Sequence, residues 1–271
     1  PSSSNRLFPD QIKAAVNMSS RQPKVLVLRT AGTNCDYETD YAFQLAGAET
    51  ALVHINQLLS QRVSLSDYQI LAIPGGFSYG DDIAAGILLA NEIRYKLLDA
   101  IIGFIENNGL IIGICNGFQV LVRSGLLPQI NAIAQEVSLA SNTSSKFECR
   151  WTTLTTESTN CVFTQDLPEQ IYLPVAHAEG RFIAPEETID QLESNEQVVF
   201  RYASSDYPDN PNGSDRNIAG ICDPSGRILG MMPHPERYLT RYNHPRWTRE
   251  DLAAEGDGLA IFRHAVNYVS S

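Results

Sequence analysis

Short apolar runs alternate with stretches of helical periodicity through the first half of the chain. Residues 24–30, KVLVLRT, are a compact β-branched and leucine run ending in the turn-forming AGTNCD. YETDYAFQLAGA follows, with Tyr37, Tyr41, Phe43 and Leu45 at helical spacing and Gly47 closing the segment. The alternation continues through TALVHI (50–55), QILAIPGG (69–76), a helix over roughly 91–107, GLIIGI (109–114) and a helix from Asn116. Strands buried on both faces read as unbroken apolar runs, so this half predicts an α/β fold with a parallel sheet covered on each side.

The texture changes over 131–182. NAIAQEVSLASN and FECRWTTLTT alternate and are rich in Ser and Thr, which predicts antiparallel strands extending the sheet. EQVVFRYA (196–203) reads as another strand, and NIAGICD joined to RILGMM by PSG as a hairpin. GDGLAIFRHAVNYV closes the sequence as an amphipathic helix. Residues 24–271 are expected to form a single domain, with residues 1–23 a polar, weakly patterned and peripheral N-terminal extension.

The 271 residues are 43% hydrophobic and 19% charged, the makeup of an ordinary soluble protein. A net charge of -11 and a pI near 4.9 give no broad field for phosphate backbones or anionic lipid, so neither nucleic acid nor membrane is expected as a partner. The five cysteines are odd in number, scattered and never set as C-x-x-C, which suits reduced thiols in a cytoplasmic protein.

One cysteine stands at a chemically special place. In GLIIGICNGFQ, an apolar strand turns into a helix at Cys115, between Gly113 and Gly117. This is the geometry by which G-x-S-x-G holds a nucleophile clear of a sheet, here carrying sulfur. The helix N-terminus adds partial positive charge beside the thiol, which favours the thiolate. MMPHPER (231–237) supplies a base: Pro233 and Pro235 stiffen the backbone around His234, and an i, i+2 arrangement sets Glu236 on the same side to hold the imidazole. PGGFSYGDD places Gly75 and Gly76 after a strand, where bare backbone can turn an N–H toward an oxyanion beside the N–H of Asn116. Each has a plain alternative: a buried cysteine filling a gap, a histidine in a proline-rich turn, a glycine pair in an ordinary turn. Their combination favours chemistry. Asp81 and Asp82 are expected to cap the following helix rather than bind metal, and His54, His244 and His264 to be structural.

These residues resemble a class I glutamine amidotransferase, in which GICNGFQ, PGG and HPE complete a Cys-His-Glu triad. RTAGTNCD, PGGFSYGDDIAAG, SNTSSKFECRW, PVAHAEGRF, NPNGS and GMMPHPER, in this order, resemble the glutaminase subunits of phosphoribosylformylglycinamidine synthase. The resemblance runs from about Val25 to Val269. It implies a three-layer α/β/α sandwich and hydrolysis of L-glutamine to glutamate and ammonia. It makes Cys115 the nucleophile, His234 the acid and base, and Glu236 its orienter. It gives Gly76 and Asn116 the oxyanion N–H groups and turns Gln119 to the glutamine pocket. His177, in AHAEGR, lines either the glutamine site or a partner interface. A separate ATP-dependent synthetase subunit would consume the ammonia, with a small bridging subunit between the two. The chain itself would carry no cofactor and no metal, ATP and magnesium belonging to the synthetase. Departures from the family pattern are Ala178 where many relatives have glycine, a longer stretch around 156–171, and the N-terminal extension. A glutaminase for a different synthetase, a stand-alone cysteine hydrolase and a non-catalytic docking module are the competing readings.

Overall fold

The computed structural model describes residues 22–271 apart from 82, 131–135 and 158–159. The chain runs β1 (Lys24–Arg29), α1 (Asp36–Leu45), β2 (Glu49–His54), α2 (Ile55–Leu59), β3 (Ile70–Ile73), α3 (Ile87–Glu92), α4 (Leu98–Glu106), β4 (Leu110–Ile114) and α5 (Asn116–Ser124). The second half adds β5 (Ser138–Ser141), β6 (Glu148–Thr156), β7 (Gln170–His177), β8 (Glu179–Ile183), α6 (Glu186–Ser194), β9 (Val198–Tyr202), β10 (Ile218–Cys222), β11 (Ile228–Met231) and α7 (Asp257–Ser270).

Among the described residues, nine strands form one sheet in the order β2-β1-β3-β4-β11-β10-β9-β6-β7. The run from β2 to β11 is parallel, and the remaining pairings are antiparallel. The expected parallel body with an antiparallel extension is thus present. Its central strands β3 and β4 are buried at every position, because helices cover both faces. Phe43 of α1 meets Phe262 of α7 edge to face, with ring centroids 4.9 Å apart.

Several expectations shift. The helix foreseen over 91–107 starts earlier, as α3, and passes through a π-turn at Ile93–Leu97 before α4. Strand β5 pairs with β8 as a separate two-stranded sheet and does not join the main one. Helix α6 was not foreseen, since Ile189 and Leu192 are its only buried residues and leave a thin apolar signal. Most of the N-terminal extension, residues 1–21, and Asp82 lie outside the described residues.

The parallel strands β1, β3, β4 and β11 are neighbours, and the chain leaving their C-terminal ends carries Cys35, Gly75, Cys115 and His234. In parallel α/β sheets this end of the strands is where ligands bind. Strand β7, last in the sheet order, reaches the same place, with Pro174 accepting the His234 N–H at 2.8 Å.

Candidate active site

Cys115 sits between β4 and α5 at φ 52° and ψ -106°. A non-glycine residue held there costs about 1–3 kcal/mol, so the surroundings must impose it. They do so through two backbone bonds: Cys115 N–H to Met231 O at 2.7 Å, and Gln119 N–H to Cys115 O at 3.1 Å. Gly117 permits the crossing of helix and strand, since a Cβ there would stand 1.9 Å from Ile73 O. The thiol is 5% exposed and lies 3.7 Å from Ala176 O.

His234 and Glu236 are both buried, with Nδ1 2.6 Å from Oε1. Burial alone would drive the imidazole toward neutrality. The Glu236 carboxylate and the adjacent Cys115 and Cys35 thiols outweigh burial and raise His234 well above its ordinary pKa of 6.5. Among the described residues its Nε2 is buried without a hydrogen-bond partner of ordinary geometry, and the nearest groups that act on the ring besides Glu236 are the Cys115 and Cys35 thiols. Gly75 lets the imidazole approach, because a Cβ there would meet His234 Cε1 at 2.8 Å and Cys115 Cβ at 3.5 Å. Gly76, at φ 142°, passes so close to the Gly32–Asn34 backbone that a Cβ would fall 2.7 Å from Asn34 N.

A cleft of about 210 Å³ opens over Cys115, with Gly76, Phe77, Gln119, His177 and Glu179 among its walls. Gln119 lines the cleft with its amide tied at both ends: Oε1 accepts from Asn116 Nδ2 at 3.0 Å, and Nε2 donates to Glu179 O at 2.6 Å. Asn116 also reaches the glycine loop, accepting the Ser78 N–H at 3.1 Å and donating to Asp81 Oδ1 at 3.2 Å. Asp81 accepts the Gly86 N–H ahead of α3 but does not cap the helix as expected, since the N-cap position is Gly86 and no side chain caps it. His54 accepts the Asn56 N–H at the start of α2, His244 packs against Trp151, Tyr172 and Tyr238, and His264 pairs with Phe163 O.

Two contributors were not singled out in the sequence. Cys35 is buried beside His234, where Arg237 Nη2 donates to its sulfur at 3.1 Å. Burial raises the Cys35 thiol pKa, with the histidine and arginine charges acting against that rise. Ligand atoms of Cys35, His234 and Glu236 lie within 4.8 Å of one another, a spacing a metal could use. A cation there would have to compete with the Arg237 guanidinium and with the His234–Glu236 bond. The other is Asn142, whose side chain contacts His177. Cys35 was legible only as part of a turn and Asn142 only as part of SNTSS; no periodicity marks either.

This fold and its cleft are those of a glutamine amidotransferase, as the family match shows. The family described as the CobB/CobQ-like glutamine amidotransferase domain matches residues 22–269. Phosphoribosylformylglycinamidine synthase subunit PurQ of Dehalococcoides mccartyi is 53% identical over 252 residues, covering 90% of this chain and 97% of that one. The subunit of the same name from Methanococcus maripaludis is 44% identical over 265 residues, covering 91% and 97%. The solved structure of PurLQS from Thermotoga maritima superposes with a TM-score of 0.73 at 32% identity, covering 92% of this chain and 99% of that one. The chain belongs to the PurQ family of phosphoribosylformylglycinamidine synthase subunits.

Proposed function

We propose that the chain hydrolyses L-glutamine to glutamate and ammonia, and that an ATP-dependent synthetase subunit uses the ammonia to make formylglycinamidine ribonucleotide in purine biosynthesis. One observation carries this reading: Cys115, held at the elbow on the cleft wall, lies across Gly75 from the buried His234–Glu236 pair, in a PurQ-family chain.

Glu236 and the neighbouring thiols favour the charged form of His234, which suits the ring to take the Cys115 proton. The sulfur attacks the glutamine carboxamide carbon, and the negative charge moves to oxygen. The N–H of Asn116, at the first turn of α5 where no intrahelical acceptor is available, and that of Gly76 are the donors for this oxyanion. His234 then gives its proton to the departing nitrogen, leaving a glutamyl thioester. The neutral imidazole next takes a proton from water, which attacks the thioester, and the proton returns to the Cys115–His234 pair. Glu236 holds the ring by Nδ1 throughout, which keeps Nε2 aimed at the chemistry.

Free ammonia is protonated in neutral water and loses its nucleophilic lone pair, which is the physical reason for a synthetase partner. We include a small bridging subunit in the assembly and place the complex in the cytoplasm. Among the described residues no helix is long and apolar enough to cross a membrane. Residues 24–271 are taken as one amidotransferase domain. No metal or cofactor is assigned to this chain, with ATP and magnesium on the synthetase.

The test is Cys115→Ala in the assembled enzyme. Glutamine-dependent product formation should fall by about 10³-fold or more, while the reaction fed with ammonium salt should persist. Retention of glutamine-dependent synthesis would refute the assignment.

A further inference from the structure

His177, a residue of the cleft wall, holds an unused buried acceptor. It is the last residue of β7, is 3% exposed, and lines the cleft together with Cys115. Its Nδ1 lies 3.1 Å from Asn142 Oδ1. The Asn142 amide nitrogen donates to Lys146 O at 2.9 Å and to His177 O at 2.8 Å, so both of its N–H groups are used. Asn142 Oδ1 can only accept, and His177 Nδ1 must therefore carry the ring proton.

Nε2 is left as a bare lone pair, buried and without a partner among the described residues. Burial, and after it the charge of nearby His234, push the His177 pKa down to about 3, so the ring stays neutral in the working range. Gly180 leaves room for this ring, since a Cβ there would stand 2.7 Å from Nδ1. A buried acceptor without a donor is costly to keep. At the wall of a substrate cleft it marks the place of a ligand N–H.

On the glutaminase reading above, we propose that His177 Nε2 accepts a hydrogen bond from the carboxamide nitrogen of glutamine and from the ammonia it becomes, with Asn142 as the positioning residue that holds the ring in the required tautomer. The alternative donor is the α-ammonium of the same substrate. The reacting end is favoured because Ala176, next to His177, lies against the Cys115 thiol, with its carbonyl 3.7 Å from the sulfur.

The chemistry gives such an acceptor a purpose. When the tetrahedral adduct collapses, the C–N electron pair leaves with nitrogen, His234 supplies the third proton, and the carbonyl of the thioester re-forms. The product has three N–H bonds and one lone pair. His177 accepts one N–H and has no proton at Nε2 to give, so it orients the departing nitrogen without itself protonating it.

The experiment compares L-glutamine with L-glutamate γ-methyl ester in the assembled complex; the ester keeps the amino-acid end but has no N–H at the leaving group. His177→Leu should lower kcat for glutamine about tenfold, the effect of one well-placed hydrogen bond, and change the ester rate by less than about twofold. His177→Gln, whose oxygen can accept, should recover part of the glutamine rate. Ring ¹⁵N shifts of the unaltered protein should report the Nδ1–H tautomer, and Asn142→Leu should populate the Nε2–H form while slowing glutamine selectively. Equal losses on both substrates, a change confined to KM, or an Nε2–H tautomer in the unaltered protein would overturn the proposal. Failure of the unaltered complex to hydrolyse glutamine would instead remove the glutaminase reading, whereas normal glutamine hydrolysis by His177→Leu would remove this inference alone.

Discussion

At the scale of single residues, two buried histidines a short distance apart are tuned in opposite directions. His234 is raised above 6.5 against the effect of burial, because Glu236 and the two neighbouring thiols favour its charge. Its contribution to stability is fully present below about pH 6.5 and is lost as pH climbs through the raised folded value. Glu236→Gln removes a major cause of the rise and leaves burial in control. The alkaline limb of the glutaminase pH profile should therefore move to lower pH, with kcat down by about 10²–10⁴-fold. An unmoved limb would show that Glu236 does not set the imidazole. His177, depressed to about 3, behaves inversely: its neutral folded form adds stability above about pH 6.5 that is lost as pH falls toward 3. Unfolding free energies from urea titrations between pH 7 and pH 5 should fall by up to about 1.4 kcal/mol per pH unit from this group, and His177→Leu should flatten that slope. An unchanged slope would place the titration elsewhere.

At the scale of elements, the site is made by turns that only this packing can hold. The β4–α5 crossing depends on Gly117 lying against Ile73 O. Gly117→Ala forces strand and helix apart and should cost at least about 1–3 kcal/mol, read as a lower thermal midpoint together with loss of activity. The loop after β3 has a different support. Tyr79, Gly80 and Asp81 all have positive φ, and the Asn116 side chain bridges Ser78 and Asp81 across them. Asn116→Ala keeps the backbone N–H but cuts both tethers, so kcat should drop about tenfold with the fold intact, as circular dichroism would show. A normal kcat would mean that the loop holds itself. The apolar runs at 24–30 and 109–114 made β1 and β4 legible, because unbroken hydrophobicity is what a strand buried on both faces requires. Helix α6 escaped because a mostly exposed surface helix needs little hydrophobic signal, and the π-turn before α4 because it is a feature of backbone packing with no residue code.

Across the whole molecule, separate segments converge on one cleft, and this convergence separates what the sequence could disclose from what it could not. Cys115, His234 and Glu236 were readable because each residue type sits in a turn that suits its chemistry. The supports of His177 were not. SNTSS brings Asn142 to its ring, and NPNGS brings Asn212, which donates to Gly180 O at 2.7 Å and to Tyr202 OH at 3.0 Å. Such tertiary hydrogen bonds between distant loops leave no periodic trace. A cleft that releases ammonia into water would waste glutamine, so addition of the synthetase should raise glutaminase turnover over the chain alone. Equal rates for the free chain and the complex would contradict this coupling.

The most direct test of the account is mass-spectrometric mapping of a chloroketone analogue of glutamine on the purified protein, with and without excess L-glutamine. The account predicts a single label on Cys115, suppressed by glutamine. Labelling spread over the exposed Cys149 and other thiols, with no protection by glutamine, would contradict it.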